Sequence, residues 1–273
     1  MKFQGILLCT DLDGTLIGSD GRISEQNRQA IAYFQREGGR FTFVTGRPPE
    51  VTRPLLQQIQ PNAPIVCLNG GGIWDAERDE MIYAAYVDED VDTMIDAVQE
   101  AVEGVGVIVN APGGVFFANE TQNNAEYCRR CGRALPVRQI SQIARPFYKI
   151  VFMHGEDARV AQVAALLGAH PLTDRYSYIQ SERELYEILP KGANKGDGLL
   201  RLADYLGIER SRTIAVGDYN NDVSMIRAAG VGYAVANAVV EAKAVADRIT
   251  VSHNESAIAA IIRDLDEGRI SFC

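Results

Sequence analysis

Two carboxylates one residue apart, Asp11 and Asp13, close a short apolar run and are followed at once by Gly14 and Thr15. Two other apolar runs also end in polar signatures: Thr45-Gly46-Arg47, and Gly217-Asp218 continuing through Tyr219 and Asn220 to Asn221 and Asp222. Carboxylates with no histidine or cysteine nearby suit a hard cation with oxygen ligands, most naturally magnesium carrying waters and a phosphate. That points to phosphoryl chemistry. Taken alone, an Asp-x-Asp-Gly loop also reads as a turn in which aspartates bond local amides and glycine supplies an unusual backbone angle. Turn chemistry, however, asks for no Thr-Gly-Arg, no isolated lysine and no Gly-Asp-x-x-Asn-Asp at later strand or helix ends.

These signatures can meet only if the elements carrying them share an edge. Phe3 to Thr10 reads as a buried strand emptying into the Asp11 loop. Ser24 caps a helix over Asn27 to Arg36 that stops at Gly38-Gly39, and Phe41 to Val44 is a second strand ending at Thr45. A helix over roughly Glu50 to Gln58, a strand over Ile65 to Leu68 and a turn from Asn69 follow. The rhythm returns with a helix Lys195 to Leu206, a strand Thr213 to Val216, a helix Ser224 to Ala229, a strand Gly232 to Val235 and a final helix near Glu255 to Leu265. This alternation implies a doubly wound α/β sheet with parallel strands and right-handed crossovers, in which ligands gather at the carboxyl ends of strands.

The stretch from about Tyr83 to Leu189 is too long for a loop and must carry its own elements. It reads as an inserted α+β domain with helices at Val91 to Val102 and Asp157 to Leu167. Its strands fall at Gly106 to Asn110, Val115 to Ala118, Tyr148 to Met153, Tyr176 to Gln180 and Leu185 to Leu189. The expected division is thus a core of 1–82 plus 190–273 and an insertion of 83–189. A chain of 273 residues fits two unequal domains, and 47% hydrophobic with 23% charged residues is an ordinary globular composition.

A formal charge of −9 argues against a nonspecific nucleic-acid binder, which needs a clustered basic surface. The run Ile6 to Cys9 is too short for a secretion signal or a membrane span. Five cysteines, an odd number, give no disulfide framework, so reduced thiols and a cytoplasmic location are expected.

Asp11-Leu-Asp-Gly-Thr-Leu16, Thr45-Gly-Arg47, Lys195-Gly196 and Gly217-Asp-Tyr-Asn-Asn-Asp222 together resemble the four motifs of the haloacid dehalogenase (HAD) superfamily. The last, with the large insertion between the second and third motifs, looks like the Cof-type branch of small-metabolite phosphatases. Gly71 and Asn194 depart from the commoner wording of that branch without touching the central chemistry. The resemblance implies a Rossmann-like core with an α+β cap closing over the strand ends, lining the leaving-group pocket and excluding water. It also implies that Asp11 is the nucleophile, Asp13 the acid and base, and Mg2+ the cofactor. Asp11, Asp218 and the backbone carbonyl of Asp13 would hold the metal, with Asp222 either supporting it through water or orienting Lys195.

Thr45 would donate to the transferring phosphate, and Lys195 would add positive charge beside phosphate and Asp11. Asn221 would bond phosphate or fix its loop, and Asn69-Gly70 would present backbone amides to phosphate or substrate. Arg47 is read as substrate-facing, with a surface salt bridge as the alternative. The partner would be a small phosphomonoester, with sugar phosphates and phosphorylated cofactors as candidates, and neither nucleic acid nor membrane is expected. Two rivals remain: a sugar phosphomutase, marked by dependence on a bisphosphorylated activator, and a metabolite-binding module without turnover. Cys128-Arg-Arg-Cys131 lacks the second pair a zinc site needs and reads as thiols on a helix face. His154, His170 and His253 are scattered, and Trp74 and Phe116-Phe117 read as packing.

Overall fold

The computed structural model describes residues 1–132, 134–270 and 272, with the side chains of Arg130 and Cys131 also outside the description. The chain divides into two compact units, Met1–Tyr83 with Asn194–Cys273, and Ala84–Ala193.

The first unit begins with β1 (Leu7–Thr10), α1 (Glu25–Arg36), β2 (Arg40–Phe43), α2 (Pro49–Thr52), β3 (Ile65–Cys67), β4 (Gly72–Asp75) and β5 (Glu80–Ala84). Every residue of β1 is fully buried, as its unbroken apolar sequence requires of a strand covered on both faces. It is shorter than the apolar run suggests, because Phe3 to Ile6 close a turn through the Ile6 N–H to Phe3 carbonyl bond. The Ser24 side chain caps α1 by accepting the Asn27 N–H. The helix expected over Glu50 to Gln58 is instead the single turn of α2 followed by a 3-10 turn at Arg53–Gln57. Pro54 explains the break, since its ring cannot sit in an α-helix interior.

The inserted unit carries α3 (Val91–Ala101), β6 (Gly106–Ala111), β7 (Gly114–Phe117), α4 (Asn124–Cys131), β8 (Lys149–Met153), α5 (Asp157–Ala169), β9 (Tyr176–Glu182) and β10 (Leu185–Pro190). Its strands form an antiparallel sheet ordered β7-β6-β8-β10-β9. Met94, Ile95 and Val98 of α3 and Val163 and Leu167 of α5 pack on one face with Val107, Val109, Ile150 and Phe152. Lys149 on β8 and Glu187 on β10, both buried, pair at 2.6 Å, and Ser181 on β9 donates to the other Glu187 oxygen at 2.5 Å. α4 carries Cys128, in keeping with a thiol on a helix face, and is too polar for a clear apolar stripe.

The first unit resumes with α6 (Lys195–Leu206), β11 (Thr213–Gly217), α7 (Val223–Ala228), β12 (Val231–Ala234), α8 (Val240–Val245), β13 (Arg248–Ile249) and α9 (Ala257–Asp266). The parallel sheet runs β13-β12-β11-β1-β2, a doubly wound α/β arrangement as expected. Thr10 is in register with Val216 on one side and Phe43 on the other. The residues that follow, Asp11, Gly217-Asp218 and Val44-Thr45, therefore emerge side by side at strand spacing, roughly 5 Å apart. β3 joins β2 through the parallel Val44–Val66 bridge, as expected of a third parallel strand, and pairs antiparallel with β4. The return into β4 follows from Leu68 and Asn69, whose φ of 56° and 53° turn the chain back.

Candidate active site

Asp11 is buried, and the strand lattice fixes its backbone through its N–H to the Val216 carbonyl at 2.9 Å. Lys195, the first residue of α6, reaches the site with no side-chain exposure and donates to Asp11 Oδ1 at 2.6 Å and Asp222 Oδ1 at 2.5 Å. A cation at a helix N-terminus opposes the helix dipole, so its placement is sustained by the two carboxylates. Burial pulls Lys195 downward, but Asp11 and Asp222 more than offset it and hold the ammonium firmly charged. The α6 start is packed hard against the 68–70 turn. A Cβ on Gly70, whose φ is 89°, would overlap the Asn194 carbonyl. Gly70 is therefore explained here by close approach, and Asn194 caps the helix by accepting the Asp197 N–H at 2.9 Å.

Asp222 is fully buried and fully engaged. Oδ1 receives Lys195, while Oδ2 accepts the N–H groups of Asp218 and Tyr219 at 2.8 and 3.0 Å. It thus holds both the lysine and the loop that carries Asp218. Asp218 Oδ1 accepts the Thr15 hydroxyl at 2.8 Å, and its carboxylate lies against Gly14, where a side chain would collide with it. Burial, then the Asp222 charge, pushes the Asp218 carboxyl up to about 7. The same two causes raise Asp11 well above the usual carboxylate range, against the opposing pull of Lys195.

Among the described residues, Asp11, Asp218 and Asp222 offer oxygens within 4.8 Å of one another. Counting Asp13, four carboxylates face two cationic side chains, Lys195 and Arg47. The excess of two negative charges and the all-oxygen donor set fit a hard divalent cation. Asp222, with both oxygens already taken, is placed better as support for Lys195 than as a ligand. The Asp13 carboxylate is outside the converging group.

Thr45 is buried and its Oγ1 accepts the Arg47 N–H at 3.1 Å. Arg47 places its guanidinium on Asp13, the salt bridge given as the alternative to a substrate contact, with Nε to Oδ2 at 2.8 Å and Nη2 to Oδ1 at 2.6 Å. Asn69 and Asn221 bond each other, Nδ2 of Asn221 to Oδ1 of Asn69 at 3.1 Å. Leu68 and Asn69 are held in the left-handed region by N–H bonds to the Arg47 and Thr45 carbonyls at 3.2 and 3.1 Å. For Leu68 that conformation costs about 1–2 kcal/mol, whereas an asparagine such as Asn69 tolerates it.

Thr15 and Asn237 were assigned no role from sequence. Asn237 Nδ2 donates to the Gly14 carbonyl at 2.8 Å, fixing the loop after Asp11. Thr15 stood inside a recognised motif, whereas nothing in the sequence marked Asn237. Hydrogen bonds join the side chains of His154 and His170 to backbone within two residues and that of His253 to Ser19, and among the described residues none joins them to Asp11, Asp218 or Lys195. Trp74 is buried with Arg53 over its ring. Cys128 is a free thiol on α4, and the side chain of Cys131 lies outside the described residues.

Residues 8–262 match the haloacid dehalogenase-like hydrolase family, and the chain belongs to it. Its antiparallel insertion between the second and third motifs places it in the Cof-type branch, among HAD-type phosphatases. It is 26% identical over 266 residues to 5-amino-6-(5-phospho-D-ribitylamino)uracil phosphatase YitU of Bacillus subtilis (strain 168), covering 97% of this chain and 98% of that protein. The crystal structure of a haloacid dehalogenase-like hydrolase from Bacteroides thetaiotaomicron superposes with a TM-score of 0.83 at 28% identity, covering 95% of this chain and 99% of that one. A HAD subclass IIB sugar phosphatase shares the fold with a TM-score of 0.84 at 20% identity, covering 97% and 100%.

Proposed function

We propose that the chain hydrolyses a small phosphorylated metabolite in the cytoplasm, with magnesium, through a phosphoryl group carried on Asp11. The observation that carries this reading is the buried Lys195 bridging Asp11 and Asp222, with Asp218 alongside. Lys195 occupies Oδ1 of Asp11, which leaves Oδ2 to attack phosphorus. As that O–P bond forms, the ester P–O bond breaks, and the leaving oxygen takes a proton from Asp13. In the second half-reaction Asp13 takes a proton from water, whose oxygen attacks the same phosphorus. The Asp11 O–P bond then breaks and the carboxylate is restored.

Asp11 and Asp218, with the Asp13 carbonyl, would hold the metal, which supplies charge neutralisation between anionic nucleophile and anionic phosphate. Thr45 and Lys195 stabilise charge on the transferring group, Asn69 and Asn221 brace its surroundings, and Asp222 keeps Lys195 aimed. Residues 84–193 would select the leaving group, for which a sugar phosphate or a phosphorylated cofactor is the class proposed; the YitU relative, named for a phosphoribitylamino-uracil, supports that range. The test is phosphate release from a panel of such esters, with and without magnesium, in the wild type and Asp11→Asn. Magnesium-dependent release lost in the variant is expected. Release that persists in folded Asp11→Asn would remove the assigned nucleophile.

A further inference from the structure

The Arg47 guanidinium engages both oxygens of Asp13 as a planar fork, a geometry that a lysine ammonium cannot reproduce. The platform under the fork is rigid. The Arg47 N–H donates to Thr45 Oγ1, its carbonyl accepts the Leu68 N–H, and Pro48 restricts its backbone to extended angles. Asp13 is different: it stands on the loop before Gly14, and its side chain is 47% exposed against 23% for Arg47. Among the described residues, Arg47 is the side chain that hydrogen-bonds its carboxylate. A short carboxylate so exposed would otherwise sample several rotamers, and a two-point grip selects one. Half-exposed ion pairs contribute little to stability, so folding gives little reason for the pair.

We propose that Arg47 is a positioning residue: it aims the Asp13 carboxylate for proton transfer and acts on the reaction only through Asp13. The proposal rests on the phosphatase reading, in which Asp13 moves the proton. It replaces the expectation that Arg47 contacts substrate, and it makes a distinct claim, because a substrate contact would act on every ester whether or not Asp13 is intact.

The experiment uses the full chain with magnesium and two probes. p-Nitrophenyl phosphate has a leaving group that departs without a proton, whereas glycerol phosphate has an alkoxide that needs one. Arg47→Met should lower kcat for glycerol phosphate by about 10- to 100-fold, the cost of misplacing a reacting group by about 1 Å. The loss should be smaller for p-nitrophenyl phosphate, KM should hold within about 2-fold, and Arg47→Lys should restore little because it returns charge without the fork. In an Asp13→Asn background, adding Arg47→Met should change kcat by no more than about 2-fold, since the two act as one unit. A KM that rises for both esters with kcat spared, or losses that multiply in the double variant, would overturn the proposal alone. A wild type that releases phosphate from no ester would overturn the phosphatase reading and this proposal with it.

Discussion

Each unit buries a lysine against carboxylate, and the two arrangements differ in charge balance. Lys149 in the inserted sheet pairs with Glu187, whose other oxygen accepts the neutral Ser181 hydroxyl. Lys195 in the parallel sheet lies between Asp11 and Asp222, with Asp218 a few ångströms away. Here carboxylates outnumber the cation, and burial, then the neighbouring Asp222 charge, raises Asp11 and Asp218 out of the ordinary carboxylate range. A fold gains nothing from such a surplus, since buried unpaired charge is costly. A balanced buried pair is sufficiently explained by sheet structure, whereas an unbalanced cluster implies a further ion or a reaction.

The largest effect should come from breaking the unbalanced cluster. Lys195→Met should lower turnover by about 10²- to 10³-fold or more, the scale of losing a group that stabilises transition-state charge. The fold should survive at a cost in stability, because burial already favours the protonated form of Asp11 while Asp222 is left buried without its cation. Phosphate release and a thermal melt measure the two effects separately. The balanced pair should behave the opposite way: Lys149→Met strands the buried Glu187 charge and should cost about 3–5 kcal/mol in urea unfolding, with kcat retained. Glu187→Leu added to it should recover most of the loss. A stable Lys149→Met protein without turnover would break the comparison by making the inserted pair part of the chemistry.

Magnesium should stabilise the protein by about 2.7 kcal/mol at a hundredfold excess over its Kd. The dependence on pH follows from Asp218, held near 7 when folded against an ordinary value of 3.8. A raised folded pKa gives stability that is present below the unfolded value and lost as pH rises through the folded one. The magnesium-free Tm should therefore fall from about pH 3.8 to about pH 7 and level off above that. The increment from magnesium should grow over the same window, because the ligands must be ionised. An increment constant with pH would detach the cation from these carboxylates. The smallest effect should be that of Thr15→Val, which removes the hydroxyl orienting Asp218. Magnesium affinity measured by calorimetry should weaken about 10-fold.

The site was legible in the sequence where chemistry coincides with the end of an apolar run. Asp11, Thr45 and Asp218 stand at carboxyl ends of neighbouring parallel strands, and Lys195 begins a helix whose start and stop, Asn194 and Gly207, are both written locally. Pairings across the chain were not legible. Arg47 reaches Asp13 through a rotamer, 34 residues away in sequence, and that choice leaves no trace in local pattern. The saturation of Asp222 likewise depends on how the 217–222 loop folds back on its own amides. In the fold, Pro54 announced a helix break that periodicity alone passed over. The return of β3 into β4 was hidden because Leu68 is not a residue that ordinarily adopts a left-handed backbone.

The most direct test of the account is to quench the enzyme with acid during turnover of a phosphomonoester and locate any covalent phosphoryl group by mass spectrometry. The account predicts an acyl phosphate on the peptide containing Asp11, absent from Asp11→Asn. A phosphoryl group on another residue, or full turnover by Asp11→Asn, would contradict it.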